Sequence, residues 1–203
     1  MPDLSNRRQF LALGALCEGV LILLAFALGW LAGINPLEHW HLHARAVAWG
    51  VVGMAPLLVL FLTLFYYPIG PLQQIKRFLV SALGPALSTC RWYDLLALAL
   101  LVGFSEELLF RGVLQPWMSG RGTTIGVLAS NVIFGLAHFV TPLYALIAGV
   151  MGVYLAALMQ WNDGNLTVPA VTHAVYDYLA FLFVARAYRR EQLMEEAQVQ
   201  PPT

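Results

Sequence analysis

Six apolar stretches separated by short polar connections most strongly constrain what this chain can fold into. A helix rises about 1.5 Å per residue and the hydrocarbon core is about 30 Å thick, so stretches of about 20 residues are typical of membrane-spanning helices. The fourth stretch is the shortest. The predicted spans are Phe10–Ile34, Ala46–Tyr67, Trp92–Arg111, Thr124–Val140, Leu143–Trp161 and Val168–Ala185.

Composition supports an all-α, polytopic helical membrane protein. The 203 residues are 60% hydrophobic and 11% charged, whereas ordinary soluble domains are about 45–50% apolar and about 25% charged. Eleven basic residues balance eleven acidic ones, so no basic face indicates a nucleic-acid partner. The bilayer itself is the first partner that the composition predicts.

The connection between the second and third spans predicts one further helix. Its apolar residues recur at helical spacing beside Lys76 and Arg77, which is typical of an amphipathic helix lying in the membrane interface. A weakly hydrophobic seventh span is the alternative. The apolar positions are Ile75, Phe78, Leu79, Ala82, Leu83, Ala86 and Leu87.

Basic residues predict the orientation and the domain limits. With a cytoplasmic N-terminus, only Arg45 and Arg121 lie outside. We therefore expect a protein of the bacterial inner membrane with both termini in the cytoplasm. We predict a cytoplasmic segment over 1–9, one membrane domain over 10–188 with its catalytic part at 92–185, and a polar, flexible tail over 189–203. The basic residues placed inside are Arg7, Arg8, Lys76, Arg77, Arg91, Arg186, Arg189 and Arg190.

Three ionisable groups end the third span, where a bilayer or a dry core is expected. These are Glu106, Glu107 and Arg111; a charge in hydrocarbon costs about 2.5–3.5 kcal/mol on insertion scales, so such residues are usually functional. Glu107 and Arg111 are one helical turn apart and can pair, while Glu106 points about 100° away and stays free. The alternative is a buried ion pair that only fixes helix packing.

Two later spans add polar pairs at the same spacing. Phe134 precedes His138 by one turn on the fourth span, and His173 precedes Asp177 by one turn on the sixth. The alternative for His138 is a buried histidine whose hydrogen bonds are satisfied within the core. The alternative for His173 and Asp177 is a hydrogen bond that satisfies both side chains. Carboxylates and imidazoles together are the groups needed for acid–base chemistry on a water, so we predict a hydrolytic site where these helices meet. Asn131, two turns before His138, either lines the same cavity or provides packing polarity.

Two further features remain open in the sequence. Glu18 is a carboxylate within the first span without an evident partner, and we expect it to face a cavity or an interface. His39, His41 and His43 alternate around Trp40 and would bind a metal if the segment were extended; a titratable, aromatic loop at the membrane surface is the favoured interpretation.

In order and spacing, the three motifs resemble the signature of the CPBP family, which comprises the type II CAAX prenyl endopeptidases and the bacteriocin self-immunity (Abi) proteins. The motifs are Glu106-Glu107-x-x-x-Arg111, Phe134-x-x-x-His138 and His173-x-x-x-Asp177. The resemblance implies a glutamate-type intramembrane endopeptidase that needs no metal or other cofactor. Its substrate would be a peptide or a lipidated protein, such as a prenylated C-terminal tripeptide.

The resemblance also implies a role for each motif residue. Glu106 would activate the water and His138 would help to hold it, while His173 and residue 177 would stabilise the oxyanion and Glu107 with Arg111 would shape the site. The prenyl endopeptidases carry asparagine where this chain has Asp177. An ionised aspartate cannot donate to an oxyanion; it would instead orient His173 and leave that histidine as the donor.

Other classes of intramembrane protease have sequence motifs of their own, which can be sought in this chain. The sequence contains no Gly-x-Ser-x-Gly, no His-Glu-x-x-His and no Gly-x-Gly-Asp, which disfavours rhomboid-like, zinc and presenilin-like proteases. A metal-dependent hydrolase with Glu106, Glu107, His138 and His173 as ligands stays open. So does a non-enzymatic membrane protein, such as a self-immunity factor, a scaffold or a small transporter.

Overall fold

Helices account for the regular structure of residues 6–199, the part of the chain that the structure, a computed structural model, describes. The all-α prediction is therefore confirmed; residues 1–5 and 200–203 of the two predicted terminal segments lie outside the described residues. Two π-helical segments, Leu79–Leu83 and Phe110–Leu114, interrupt longer helices. The helices are α1 Arg7–Ala32, α2 Ala44–Tyr66, α3 Pro71–Phe78, α4 Gly84–Thr89, α5 Trp92–Leu109, α6 Gln115–Met118, α7 Thr123–Ala137, α8 Pro142–Trp161 and α9 Thr167–Val199.

Four helices, α1, α2, α8 and α9, are long and apolar enough to cross a membrane, which indicates an integral membrane protein. The remaining two predicted spans correspond to α5 and α7. Helix α7 has 15 residues and is about 22 Å long at the usual helical rise, while α5 is 18 residues long and includes Asp94, Glu106 and Glu107. The total of six spans remains a prediction.

Local sequence explains where the long helices begin and end. The Asn6 side chain accepts hydrogen bonds from the backbone N–H groups of Arg8 and Gln9 and so caps α1. Gly33 ends α1 with φ 68°, a left-handed conformation that favours glycine. Thr141 caps α8, and Pro142 occupies its first turn, where a missing N–H is harmless.

Helix α9 lies against both α5 and α2 through positions without side chains. A Cβ on Gly103 of α5 would lie 2.8 Å from the Ala170 carbonyl oxygen and 2.8 Å from the Ala174 nitrogen. A Cβ on Gly50 of α2 would lie 2.6 Å from the Cβ atom of Val171. These close approaches bring the turn of α9 that carries His173 next to the end of α5.

The predicted interfacial helix is helical from Pro71 to Thr89, with the π segment in its middle. The Lys76 ammonium lies 4.8 Å from the centroid of the Phe65 ring, a cation–π contact that joins this segment to α2. Its position relative to a membrane interface stays a prediction.

Helix α9 continues beyond the predicted end of its apolar stretch, up to Val199. The segment predicted to be a flexible tail from residue 189 is therefore helical as far as the structure describes it. Its arginine, glutamate, glutamine, leucine and methionine residues favour helix although they are mostly polar. The Arg189 guanidinium also donates to the Ser88 carbonyl oxygen at 2.6 Å, which ties this extension to α4.

Candidate active site

A cavity of about 300 Å³ lies between α1, α2, α5, α7, α8 and α9. Most of its wall is apolar and comes from α2, the interfacial segment, α8 and α9. Four side chains that the sequence predicted to meet, from three different parts of the chain, line this one cavity: Glu106, His138, His173 and Asp177.

Glu106 faces the cavity without a hydrogen bond to hold its Oε2 atom. This oxygen is buried and has no hydrogen-bond partner among the described residues. It lies 3.7 Å from Nε2 of His138 and 3.8 Å from Nε2 of His173. Both distances exceed those of ordinary hydrogen bonds, so Glu106 is close to two imidazoles but bonded to neither.

Glu107 is bonded on the opposite side, away from the cavity. Its Oε1 atom accepts from Nη1 of Arg111 at 2.8 Å and from Nδ1 of His173 at 2.9 Å. The predicted division between a paired and a free glutamate is confirmed for these two residues. Because Nδ1 of His173 donates to Glu107, the ring is fixed with its Nε2 atom towards the cavity.

Arg111 connects this pair to two further helices. Its Nη2 atom donates to Oδ1 of Asn131 at 2.9 Å and to the Gly152 carbonyl oxygen at 2.8 Å. The guanidinium also lies 4.7 Å from the Phe134 ring centroid. Asn131 is buried behind the cavity wall, so its role is packing polarity that supports Arg111, the second of the two predicted alternatives.

His138 lies where α7 ends, and its own helix orients it. Its Nδ1 atom is 2.9 Å from the Phe134 carbonyl oxygen; because a carbonyl only accepts, Nδ1 carries the proton and Nε2 faces Glu106. The rings of Phe134 and His138 are tilted by 32° with centroids 4.5 Å apart. Phe134, which also lines the cavity, therefore positions His138 through both backbone and side chain.

His173 and Asp177 are neighbours one turn apart on α9. The distance from Nε2 of His173 to Oδ2 of Asp177 is 3.5 Å, which is long for a hydrogen bond. The stronger bond of His173 is the one to Glu107, so a closed His173–Asp177 pair does not describe the contact. Asp177 instead faces the same cavity edge as Glu106.

Sequence reasoning missed some polar groups near the site. Tyr144 and Tyr176 line the cavity, and Ser105, directly before Glu106, is fully buried. The Ser105 hydroxyl donates to Oε2 of Glu18 at 2.5 Å, and Glu18 lines the cavity. The prediction that Glu18 faces a cavity or an interface is therefore confirmed. For Ser105, the signal available in the sequence was a hydroxyl next to a glutamate within an apolar span.

The three histidines between α1 and α2 lie in a loop that Asn165 holds. Nδ2 of Asn165 donates to the His41 carbonyl oxygen at 2.9 Å, and Nδ1 of His43 accepts from the Ala46 backbone to cap α2. Within residues 6–199, no group of three His, Cys, Asp or Glu side chains is arranged to hold a metal ion. These contacts assign structural roles to His41 and His43.

Residues 88–179 match the family described as Type II CAAX prenyl endopeptidase Rce1-like. This segment is similar to the Rce1-like family. The Rce1-like segment contains all the motif residues around the cavity, from Glu106 to Asp177, whereas Glu18 lies outside it. The predicted resemblance is thus confirmed over this part of the chain.

A curated relative covers a similar length. Over 84 residues, 39% of this chain, the sequence is 37% identical to the uncharacterized protein YpbD of Bacillus subtilis (strain 168). The match spans about two fifths (40%) of that protein's length. No solved structure matches the chain.

Proposed function

We propose that this chain is a CAAX-protease-like intramembrane peptidase in which Glu106 activates a water molecule. The observation that carries the proposal is the buried Oε2 atom of Glu106, which has no hydrogen-bond partner among the described residues and lies between the Nε2 atoms of His138 and His173. Polar groups separated by more than 3.5 Å are commonly bridged by a water. Similarity to the Rce1-like family over residues 88–179 supports peptide hydrolysis as the reaction.

The proposed reaction needs no group beyond these side chains and one water. Glu106 accepts a proton from the water while Nε2 of His138 accepts a hydrogen bond from the other water hydrogen, and the resulting hydroxide oxygen bonds to the peptide carbonyl carbon. The C–N bond then breaks as Glu106 passes its proton to the leaving nitrogen. A site that excludes water strengthens the electrostatic interactions on which each step depends.

His173 is the proposed donor to the oxyanion. Its Nδ1 atom is bound to Glu107 at 2.9 Å, so a proton on Nε2 would point into the cavity. Asp177, at 3.5 Å from Nε2, would favour that protonated form and orient the ring. This role would replace that of the asparagine found at this position in the prenyl endopeptidases. Preorganised donors of this kind are worth several kcal/mol in acyl transfer, about 2.7–4 kcal/mol for one donor.

Glu107, Arg111 and Asn131 would support the site without touching the substrate. The chain of bonds from Asn131 through Arg111 and Glu107 reaches Nδ1 of His173. Partners of this kind fix the tautomer and orientation of a functional histidine. In this proposal Phe134 and Asn131 shape the site.

The substrate would be a membrane-associated peptide or a lipidated protein. The apolar wall of the cavity supports this, since it continues from Glu106 along α2 and α9 as far as Lys76. We place the protein in a bacterial cytoplasmic membrane with both termini inside. Under that orientation Glu106 and Glu107 lie towards the outer end of α5.

The test is cleavage of fluorogenic peptides, with and without a farnesylated cysteine, by the protein in proteoliposomes. We expect cleavage to persist in EDTA and to fall at least 100-fold in Glu106→Gln and in His138→Ala. The matched control is Glu38→Gln, which removes an exposed loop carboxylate and should cleave like wild type.

Each other result points to a different function. Cleavage abolished by EDTA and restored by a divalent cation would replace the glutamate mechanism with a metal-dependent one. Full activity in Glu106→Gln would remove that residue from the mechanism. No cleavage of any peptide would favour a non-enzymatic membrane protein.

A further inference from the structure

Helix α1 contributes one polar side chain to the cavity, and that side chain is Glu18. It lies outside residues 88–179, the segment that matches the Rce1-like family. Glu18 lines the same cavity as Glu106, and its Oε2 atom accepts the Ser105 hydroxyl at 2.5 Å. Because Ser105 directly precedes Glu106, this bond reaches the residue next to the proposed base.

Ser105 is fully buried, so its hydroxyl has no solvent to replace a lost partner. The hydroxyl is also 3.2 Å from the Val102 carbonyl oxygen, a longer bond within α5 itself. A buried polar group left without a good partner costs about 1–3 kcal/mol. The bond to Glu18 is therefore the contact that holds Ser105 to a second helix.

The end of α5 is where the helix changes from α to π geometry. The Phe110 N–H is shared between the carbonyl oxygens of Glu106 and Glu107, and the π segment Phe110–Leu114 follows at once. Single π turns inside α-helices occur often at functional sites. A side-chain contact from another helix is well placed to fix the orientation of such a turn.

Helices α1 and α5 are joined by polar contacts at both ends of their packing, and of these the Glu18–Ser105 bond is the one that lies at the site. The two helices run parallel, with Arg7 beside Asp94 at one end and Glu18 beside Ser105 at the other. Asp94 is twelve residues before Glu106, or about 18 Å along the helix. Loss of the Arg7–Asp94 pair would loosen the same interface far from the cavity.

We propose that Glu18 is a positioning residue for Glu106: its bond with Ser105 ties α1 to the turn of α5 that carries Glu106 and sets where that carboxylate meets the cavity. This inference rests on the proposed function. Catalytic groups must be held within about 0.5 Å of their working geometry, so loss of the bond lowers turnover more than substrate binding.

The kinetic test is a double-mutant cycle on peptide cleavage in proteoliposomes. Glu18→Ala and Ser105→Ala are each expected to lower kcat at least 10-fold with KM changed less than 3-fold. The double variant should be no slower than the slower single variant, since both remove the same bond. Glu18→Gln keeps a carbonyl oxygen for the Ser105 hydroxyl and should restore kcat to within about 3-fold of wild type.

Arg7→Ala is the matched control, because it removes a polar α1–α5 contact about 18 Å from Glu106. It should leave kcat within 2-fold of wild type. An equal loss in Arg7→Ala would show that general packing of α1 is responsible and would overturn the inference. So would independent losses that multiply in the double variant, or a Glu18→Gln variant as slow as Glu18→Ala.

A second measurement needs no substrate and so separates this inference from the proposed function. Glu106 is labelled with dicyclohexylcarbodiimide, and its modification is followed by mass spectrometry. We expect Glu18→Ala to change the labelling rate of Glu106 at least 3-fold and Arg7→Ala to leave it unchanged. Equal rates in wild type and Glu18→Ala would overturn the positioning role even if no peptide were cleaved.

Discussion

Replacement of Arg111 by lysine tests whether the site depends on a guanidinium or only on a buried positive charge. Arg111 uses two nitrogens for three bonds, to Glu107 at 2.8 Å, to Asn131 at 2.9 Å and to the Gly152 carbonyl at 2.8 Å. A lysine ammonium can keep the bond to Glu107 but lacks the planar fork that reaches the other two.

The expected loss follows from the partners that remain. Asn131 is buried, and an acceptor left without its donor costs about 1–3 kcal/mol, to which the lost bond to Gly152 adds about 1 kcal/mol. The total is about 2–4 kcal/mol. For a chain of this size each kcal/mol lowers Tm by about 2–4 °C, so Arg111→Lys should unfold roughly 4–16 °C below wild type.

Thermal unfolding of the purified protein in dodecyl maltoside, followed by tryptophan fluorescence, measures this shift. Arg45→Lys is the control, because Arg45 is exposed in the first turn of α2 and should keep the wild-type Tm within about 1 °C, as surface substitutions usually do. Arg111→Met should be worse than Arg111→Lys, since it leaves Glu107 uncompensated at a cost of about 3–5 kcal/mol. An Arg111→Lys variant that melts with wild type would refute the three-bond description.

Three further changes test the packing around the site. Gly152→Ala should lower Tm by at least 5 °C, because the added Cβ would lie 2.9 Å from Nη2 of Arg111; the control Gly19→Ala, where nothing lies within 4 Å, should be neutral, and equal Tm values would contradict the close contact. Gly103→Ala should lower both Tm and peptide cleavage, since its Cβ would lie 2.8 Å from the α9 backbone; unchanged cleavage would show that α5 and α9 can separate without harm. Asn165→Ala should speed limited proteolysis of the loop between α1 and α2, which it bonds at 2.9 Å, and cleavage at the wild-type rate would show that the loop is held by other contacts.

Local spacing explains what the sequence could predict about the site. Glu107 and Arg111 are four residues apart on one helix, so their pairing follows from helical geometry alone. Hydropathy is also a local property of the sequence, and it placed most ends of the long helices within a few residues of those observed. The end of α9 was predicted too early because apolarity marks a membrane segment, whereas helix formation continues through polar residues that favour it.

Contacts between distant parts of the chain had no local signal. Arg111 and Asn131 are 20 residues apart, and Ser105 and Glu18 are 87 apart. Their meeting depends on how α1, α5 and α7 pack, which periodicity does not specify. The π segment Phe110–Leu114 was likewise unpredictable, because apolar spacing indicates a helix but carries no signal for a single wider turn.

That π segment makes the site tolerant of a one-residue change in chain length. A π turn accommodates about one residue more than an α turn, so deletion of one residue after Arg111 would let the helix close to regular α geometry without changing the direction of the helix beyond it. Gly112 within the segment lies so close to the Pro36 carbonyl that a Cβ there would be 2.7 Å away. Helix α7, which delivers His138, follows this turn. Related sequences with one residue fewer here would keep both glutamates and still bring their first histidine to the site.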